Sequence, residues 1–403
     1  MGAPNPDVRT EVPVGDRPPR ALILGGFLVM VMVLTAVASI AAKPAKFTGI
    51  TTGPVWLDAW FQLDSGWYYS IAVNGYYFDP GGESSVAFFP TYPMMVRGLG
   101  SLIGGDYQVA GTLLSVLAGA SAITLFATWV WQRLPRRGAA TAVALMMVYP
   151  YAFYLYGAMY SDSVFLLTVI AAFLLLERRM YWTAGLVGAL ATAGRPVGVA
   201  ITIGLMLRML EMQVESRLSV GAAGRPSFRR IIGAVPTVRW RQAGVLVSMT
   251  GLVGWCVYAW AEFGNPLVWI QAQAGWNQAS GPRTWFKVTY VDTLLRGHPL
   301  KALSITAQLV MCVIAVVLLP RVRRSFGWGY CAYAIVVLAI PLIGTKDFYG
   351  TGRYVLVAFP VVAVAGLLLA ESDHRWLRPT VLIVFCAGLL GATTLYALGL
   401  PVS

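Results

Sequence analysis

Charge is scarce in this sequence. Only 12% of its 403 residues are charged, about half the share a soluble domain carries. That leaves too little polar surface to coat a water-soluble globule. Histidine is scarcer still. His298 and His374 are the only two, and no H-x-x-x-H pair exists, which argues against a protein-built zinc site. The four cysteines, Cys256, Cys312, Cys331 and Cys386, all fall inside apolar runs and none forms a CxxC pair. They read as small core residues, not as a disulfide framework or metal site. No phosphate-binding loop of the G-x-x-x-x-G-K-[ST] kind and no dinucleotide fingerprint occurs, so a soluble nucleotide-sugar, ATP or a redox cofactor has no evident site. The net charge is +13, yet no basic stripe with interleaved aromatics accompanies it, and the arginines cluster between apolar runs. Nucleic acid is therefore not the expected partner. Cytoplasmic loops between membrane spans look this way.

What the chain has in abundance is apolar length: 58% of residues are hydrophobic and the mean hydropathy is +0.67. Runs near the 17–25 residues that cross a hydrocarbon core of about 30 Å recur along the chain. The expected spans are 21–42, 108–131, 139–156, 163–176, 182–194, 196–210, 242–261, 300–320, 327–344, 354–370 and 379–400. The fold class this implies is an all-α polytopic membrane protein with about eleven transmembrane helices. The pair 182–194 and 196–210 meets at Gly194-Arg195-Pro196 and reads either as two short spans or as a re-entrant hairpin. Residues 1–20, Pro-rich and polar, read as a disordered cytoplasmic tail ahead of one domain at 21–403. An N-terminus in the cytoplasm puts about twenty Lys/Arg residues inside against about ten outside, including the Arg-rich segment 211–241 on the inner face. Two long segments, 43–107 and 262–299, then face outward. Both are rich in Trp and Tyr, which argues for folded outer loops with short interfacial helices.

The stretch 56–97 concentrates the chemistry. Asp64 sits among Trp60, Phe61, Trp67, Tyr68 and Tyr69, residues suited to a membrane interface. A carboxylate held there is partly desolvated and drifts toward general-base behaviour. It reads equally well as the N-cap of a helix beginning at Ser65. Arg195 and Arg353, with Lys346 near the latter, lie away from the cytoplasmic clusters. Cations at membrane depth suggest function, and the arginine fork suits phosphate. Arg195 could instead pair with Asp162, which itself reads as a helix-start acid. Gln271, Gln273, Trp276 and Asn277 combine an aromatic platform with amides, the chemistry sugars need. Together with Trp67 and Tyr68 they are the sugar- or acceptor-binding candidates. Asp79 and Glu83 read as turn residues of a Gly-Pro loop, and His298 as a belt residue.

The string LDSGWYYSIAVNGY, followed by AFFPTYPMMVRG, resembles the first-loop signature of the PIG-V family, the GPI mannosyltransferase 2-like C-type (GT-C) glycosyltransferases. Three further blocks appear in the same order: YSDSVFLLTVIAAFLLLERRMYWTAGLVGALATAGRPVGV, FGNPLVWIQAQAGW and GTGRYVLVAFP. The resemblance runs from about residue 56 to 360, most of the chain. It implies a GT-C-like enzyme of the plasma membrane that takes mannose from a polyprenyl-phosphate-linked donor dissolved in the bilayer. The acceptor would be a glycolipid, glycan or protein on the non-cytoplasmic face. The family's catalytic Asp, on its first outer loop, matches Asp64. Gln62-Leu63 precede it here, where the family more often has Arg-Trp. Two other readings fit eleven spans, a transporter or flippase of a lipid-linked sugar and a non-catalytic scaffold. A transporter should gather polar groups and broken helices at mid-membrane, whereas the polar residues here gather in the outer loops.

Overall fold

The computed structural model describes residues 17–42, 53–217, 225–276, 278, 281–297 and 299–402, and every regular element among them is helical. The expected tail falls mostly outside the described residues, as do 43–52 of the first long segment, Asn277 and His298. The chain opens with α1 (Arg20–Ala41), an apolar helix whose only charged residue is its first. The next segment is folded into three shorter helices, α2 (Val55–Asp58), α3 (Ser65–Asn74) and α4 (Thr91–Leu102). There follow α5 (Tyr107–Trp131), α6 (Arg136–Val148), α7 (Asp162–Glu177), α8 (Tyr181–Thr192) and α9 (Val199–Glu215). Short helices α10 (Phe228–Ile232) and α11 (Trp240–Ala243) lead into α12 (Thr250–Phe263). The second long segment carries α13 (Val268–Gln271), α14 (Pro282–Trp285) and α15 (Val288–Leu295). The chain then runs through α16 (Pro299–Phe326), α17 (Trp328–Gly344), α18 (Thr351–Val357), α19 (Phe359–Glu371) and α20 (Leu377–Ala397).

Each of the eleven expected spans overlaps one or more helices, but 139–156 runs past the end of α6, 242–261 takes in α11 and α12, 354–370 takes in the break between α18 and α19, and length divides them. Among the described residues six helices are long and apolar enough to cross a membrane, seven if the α18–α19 pair, bent by 77°, counts as one broken span. The count of eleven is therefore not reached on length. Proline explains much of the shortening. Tyr149 is extended (ψ 134°) because Pro150 follows, and α6 stops after 13 residues. Arg195 is likewise extended (φ −160°, ψ 151°) ahead of Pro196, which separates α8 from α9 at the expected place. Pro360 in the first turn of α19 fixes the break after α18.

The centre of the bundle is α7, buried along most of its length and packed on α5 and α8. Around it α6 lies against α19 and α9 against α17. Helices in a bilayer approach closely through small residues. Gly366 of α19 illustrates it, since an added Cβ would stand 2.4 Å from the Ala142 Cα on α6. The two long segments meet each other. Val86 and Phe89 form one apolar cluster with Trp255, Ala259, Val268 and Ala272. Gly275 abuts Gly82, whose carbonyl oxygen would be 2.1 Å from an added Cβ. That junction brings the sequence's candidate aromatics to one place.

Candidate active site

Asp64 is set by the bend between α2 and α3. Leu63, just before it, has φ 54°, a left-handed conformation unusual for a branched side chain. Such a backbone persists only where its surroundings hold it, and here three elements do. From α20, the Tyr396 hydroxyl donates to the Trp60 carbonyl at 2.9 Å and lies 3.0 Å from Ser65 Oγ. From the turn before α7, Tyr160 Oη accepts the Asp64 backbone N–H at 2.9 Å. From α1, Thr35 Oγ1 accepts the Trp60 indole N–H at 3.1 Å. Gly157 (φ 150°) lets the Trp60 ring settle on the chain, since an added Cβ would come within 2.9 Å of it.

The main chain of Asp64 is thus committed, and its side chain is not. The carboxylate makes no capping hydrogen bond to α3, and no ion pair to it occurs among the described residues. Of the two readings open in the sequence, the cap is not the one the geometry uses. The half-buried carboxyl is pushed above its ordinary value of 3.8 chiefly by burial. The Arg353 guanidinium is the strongest influence pulling it down, Asp162 raises it again, and Arg195 and Glu83 act more weakly in opposite senses.

Facing it is a two-arginine cluster around one buried acid. Asp162, at the first position of α7 and 1% exposed, ion-pairs with Arg195 through Oδ1. Its Oδ2 lies 4.0 Å from an Arg353 nitrogen and has no hydrogen-bond partner. Arg353 itself lies over the rings of Tyr154, Tyr160 and Tyr354, and its buried Nε is also without a partner. Arg195 lies 4.9 Å from the Tyr354 ring centre. Two guanidiniums against one carboxylate leave one positive charge over, next to a carboxylate that stays free.

The remaining candidates divide. Trp67 packs edge-on against Trp276 (centroids 5.2 Å apart) and stacks on Phe88. Lys346 donates to the Trp276 carbonyl at 3.3 Å, so it clasps the second long segment and does not point a free charge at the arginines. Tyr68 shares a hydrogen bond with Ser161 at 2.9 Å, and burial pushes its phenol up to about 12, which keeps it neutral. Gln273 is half-buried with no side-chain partner among the described residues, and Gln271 is exposed. Asp79 and Glu83 are exposed in a turn. Asp162 is the site residue that sequence reasoning undervalued. Its signal was the charge itself, an acid within an apolar block, with Arg195 available to pair with it.

No family model and no curated protein matches the chain. Among solved structures it is similar to the oligosaccharyltransferase AglB from Archaeoglobus fulgidus in complex with an inhibitory peptide and a dolichol-phosphate, at 12% identity and TM-score 0.45 over 92% of this chain and 55% of that one. The Archaeoglobus fulgidus oligosaccharyltransferase in complex with Zn and sulfate gives 13% identity and TM-score 0.47 over 92% and 53%. The arabinofuranosyltransferase AftD from Mycobacteria gives 14% and 0.45 over 95% and 27%. The chain therefore spans about half the length of the first two and about a quarter of the third. Likeness at these TM-scores carries no argument, and the functional reading stands on the side chains described above.

Proposed function

We propose that this chain is an integral-membrane glycosyltransferase that moves mannose from a polyprenyl-phosphate-linked donor to an acceptor hydroxyl on the non-cytoplasmic face, with inversion. The observation that carries the proposal is the unengaged Asp64 carboxylate, on a bend gripped by three helical elements, beside an Arg195–Asp162–Arg353 cluster with one positive charge to spare. A phosphodiester carries one negative charge and matches that surplus. The arginines hold the phosphate, and Asp64 takes the proton from the acceptor hydroxyl. The acceptor oxygen then bonds to the anomeric carbon as the bond from that carbon to the phosphate oxygen breaks on the opposite face, and polyprenyl phosphate leaves with the electron pair. The departing phosphate is already a good leaving group, so no general acid is required. Trp67, Phe88 and Trp276 supply ring faces for the sugars.

Membranes containing the protein, given radiolabelled polyprenyl-phosphate-mannose, should pass label to a second molecule, whose identity names the acceptor. The 77° break between α18 and α19, with Arg353 on its first arm, also suits a transporter of the same lipid. Label that crosses the membrane still attached to its polyprenyl phosphate would favour that reading over transfer.

The non-cytoplasmic placement rests on the two-to-one Lys/Arg bias. In a background with Cys256, Cys312, Cys331 and Cys386 replaced, Glu83→Cys and Arg283→Cys introduce thiols at exposed positions of the two long segments. Both should react with an impermeant maleimide applied outside intact cells. Reaction only after lysis would put the site on the cytoplasmic side.

A further inference from the structure

The end of α9 away from Arg195 carries a second polar assembly that the transfer reaction does not use. Arg208, 8% exposed, binds Glu177 at 2.8 Å, Glu211 at 3.0 Å and Glu215 at 3.1 Å. Arg133 approaches Glu177 at 3.4 Å and Arg225 approaches Glu215 at 3.2 Å. Three arginines are thereby matched by three carboxylates. Arg323 and Arg324, on the last turn of α16, pair with no carboxylate among the described residues. They face a groove of about 750 Å³ lined also by Arg225, Phe228, Trp328 and Glu215.

This groove is built from fixed parts. Arg225 is tied at both ends, to Glu215 and to the Ser325 carbonyl at 2.6 Å. Arg323 lies 4.9 Å from the Trp328 ring centre, and Trp328 packs against Phe228 at 5.1 Å. The Trp328 backbone N–H is in turn held by the buried Glu211 at 3.0 Å. The groove has the volume of a small-molecule site, an excess of two positive charges and an aromatic wall. It also lies where α16 leaves its apolar stretch, and the turns of α16 leading to it expose Val313, Ile314 and Val317. A phosphate head beside the arginines with acyl chains running down those residues satisfies charge and apolar surface together. A free anion satisfies only the first. The 17 residues of α9 separate the groove from Arg195, roughly 25 Å at the helical rise, so it is not the donor's phosphate site.

We propose that the groove lined by Arg323, Arg324, Arg225 and Trp328 binds the headgroup of an anionic phospholipid. This holds whatever reaction the other end performs. The test is native mass spectrometry of the full chain, purified in detergent, delipidated, and titrated with dioleoylphosphatidylglycerol or dioleoylphosphatidylcholine. The phosphatidylglycerol adduct should form at lower concentration than the phosphatidylcholine adduct. Arg323→Gln with Arg324→Gln should weaken it by roughly tenfold or more. Arg324→Gln alone removes an exposed side chain and should weaken it less, while Arg375→Gln, the same loss of charge at an exposed position ahead of α20 and outside the groove, should leave it unchanged. Equal binding of the two lipids, or an unaltered double variant, overturns the proposal. Competition by millimolar inorganic phosphate that abolishes the phosphatidylglycerol adduct overturns it too, in favour of a free-anion site.

Discussion

Asp64→Asn is expected to lower transfer by roughly 10²–10⁴-fold, the usual contribution of a general base, with expression and membrane insertion intact. Asparagine keeps the size of the side chain, and the native carboxylate makes no hydrogen bond that the amide would forfeit. The backbone grip from Tyr160 and Tyr396 is also untouched by the change. Two pH effects follow from the raised carboxyl. A base must be ionised, so the wild-type rate should fall as pH drops through the raised value, and the variant should lack that limb. Stability runs the other way. A folded-state value above the unfolded one means that the fold prefers the protonated form, so stability declines as pH rises from the ordinary value through the raised one. Asparagine never ionises, and at neutral pH the variant should melt no lower than the wild type. Asp79→Asn, at an exposed turn, should change neither property. Transfer at near wild-type rate by well-expressed Asp64→Asn protein would remove the base from the mechanism.

Asp162→Asn should have a different profile, with a large loss of stability. Removing one partner of a buried ion pair leaves the other charge uncompensated, at a cost of about 3–5 kcal/mol. Asp162 and Arg195 are 1% and 6% exposed at the side chain, and Arg353 depends on the same acid. The melting temperature in detergent should therefore drop sharply. Adding Arg195→Met, which removes the orphaned charge and keeps apolar bulk, should recover much of the stability. It should not recover transfer, because the proposed phosphate site has lost one of its two guanidiniums. If Asp162→Asn melts like the wild type, the acid does not hold the cluster. If the double variant transfers normally, Arg195 is structural only.

Helix placement was legible because apolar runs and prolines act locally. The break at Gly194-Arg195-Pro196 was read from the restriction proline places on the residue ahead of it, whereas the same restriction at Pro150 ends α6 inside the expected span 139–156. Which helices are long enough to span was less legible, because hydropathy continues through the bends that shorten them. The site was half legible. Asp64, Arg195 and Arg353 were each visible as charges out of place among apolar or aromatic neighbours. Their assembly was not, since Asp64 meets Tyr160 across 96 residues, and no periodicity records such a pairing. Lys346 was legible only in part for a related reason. Its charge was visible, but its contact with the Trp276 carbonyl was not. Arg208 shows the reverse case. It reads in sequence as one more cytoplasmic charge, yet it is buried among three acids that lie 3, 7 and 31 residues away. The two acids of its own helix could have been read from their spacing, whereas Glu177 on α7 could not.

The grip of Tyr396 on the Asp64 bend also sets an order of events during synthesis. Trp60 and Tyr396 are 336 residues apart. At a translation rate of roughly 5–20 residues per second, the bend waits on the order of half a minute after leaving the ribosome before its third support arrives. Until α20 has entered the bilayer, the strained turn at Leu63 has only the Thr35 and Tyr160 contacts to hold it. On the proposed function, mannose transfer by a nascent chain therefore waits until α20 docks against this bend.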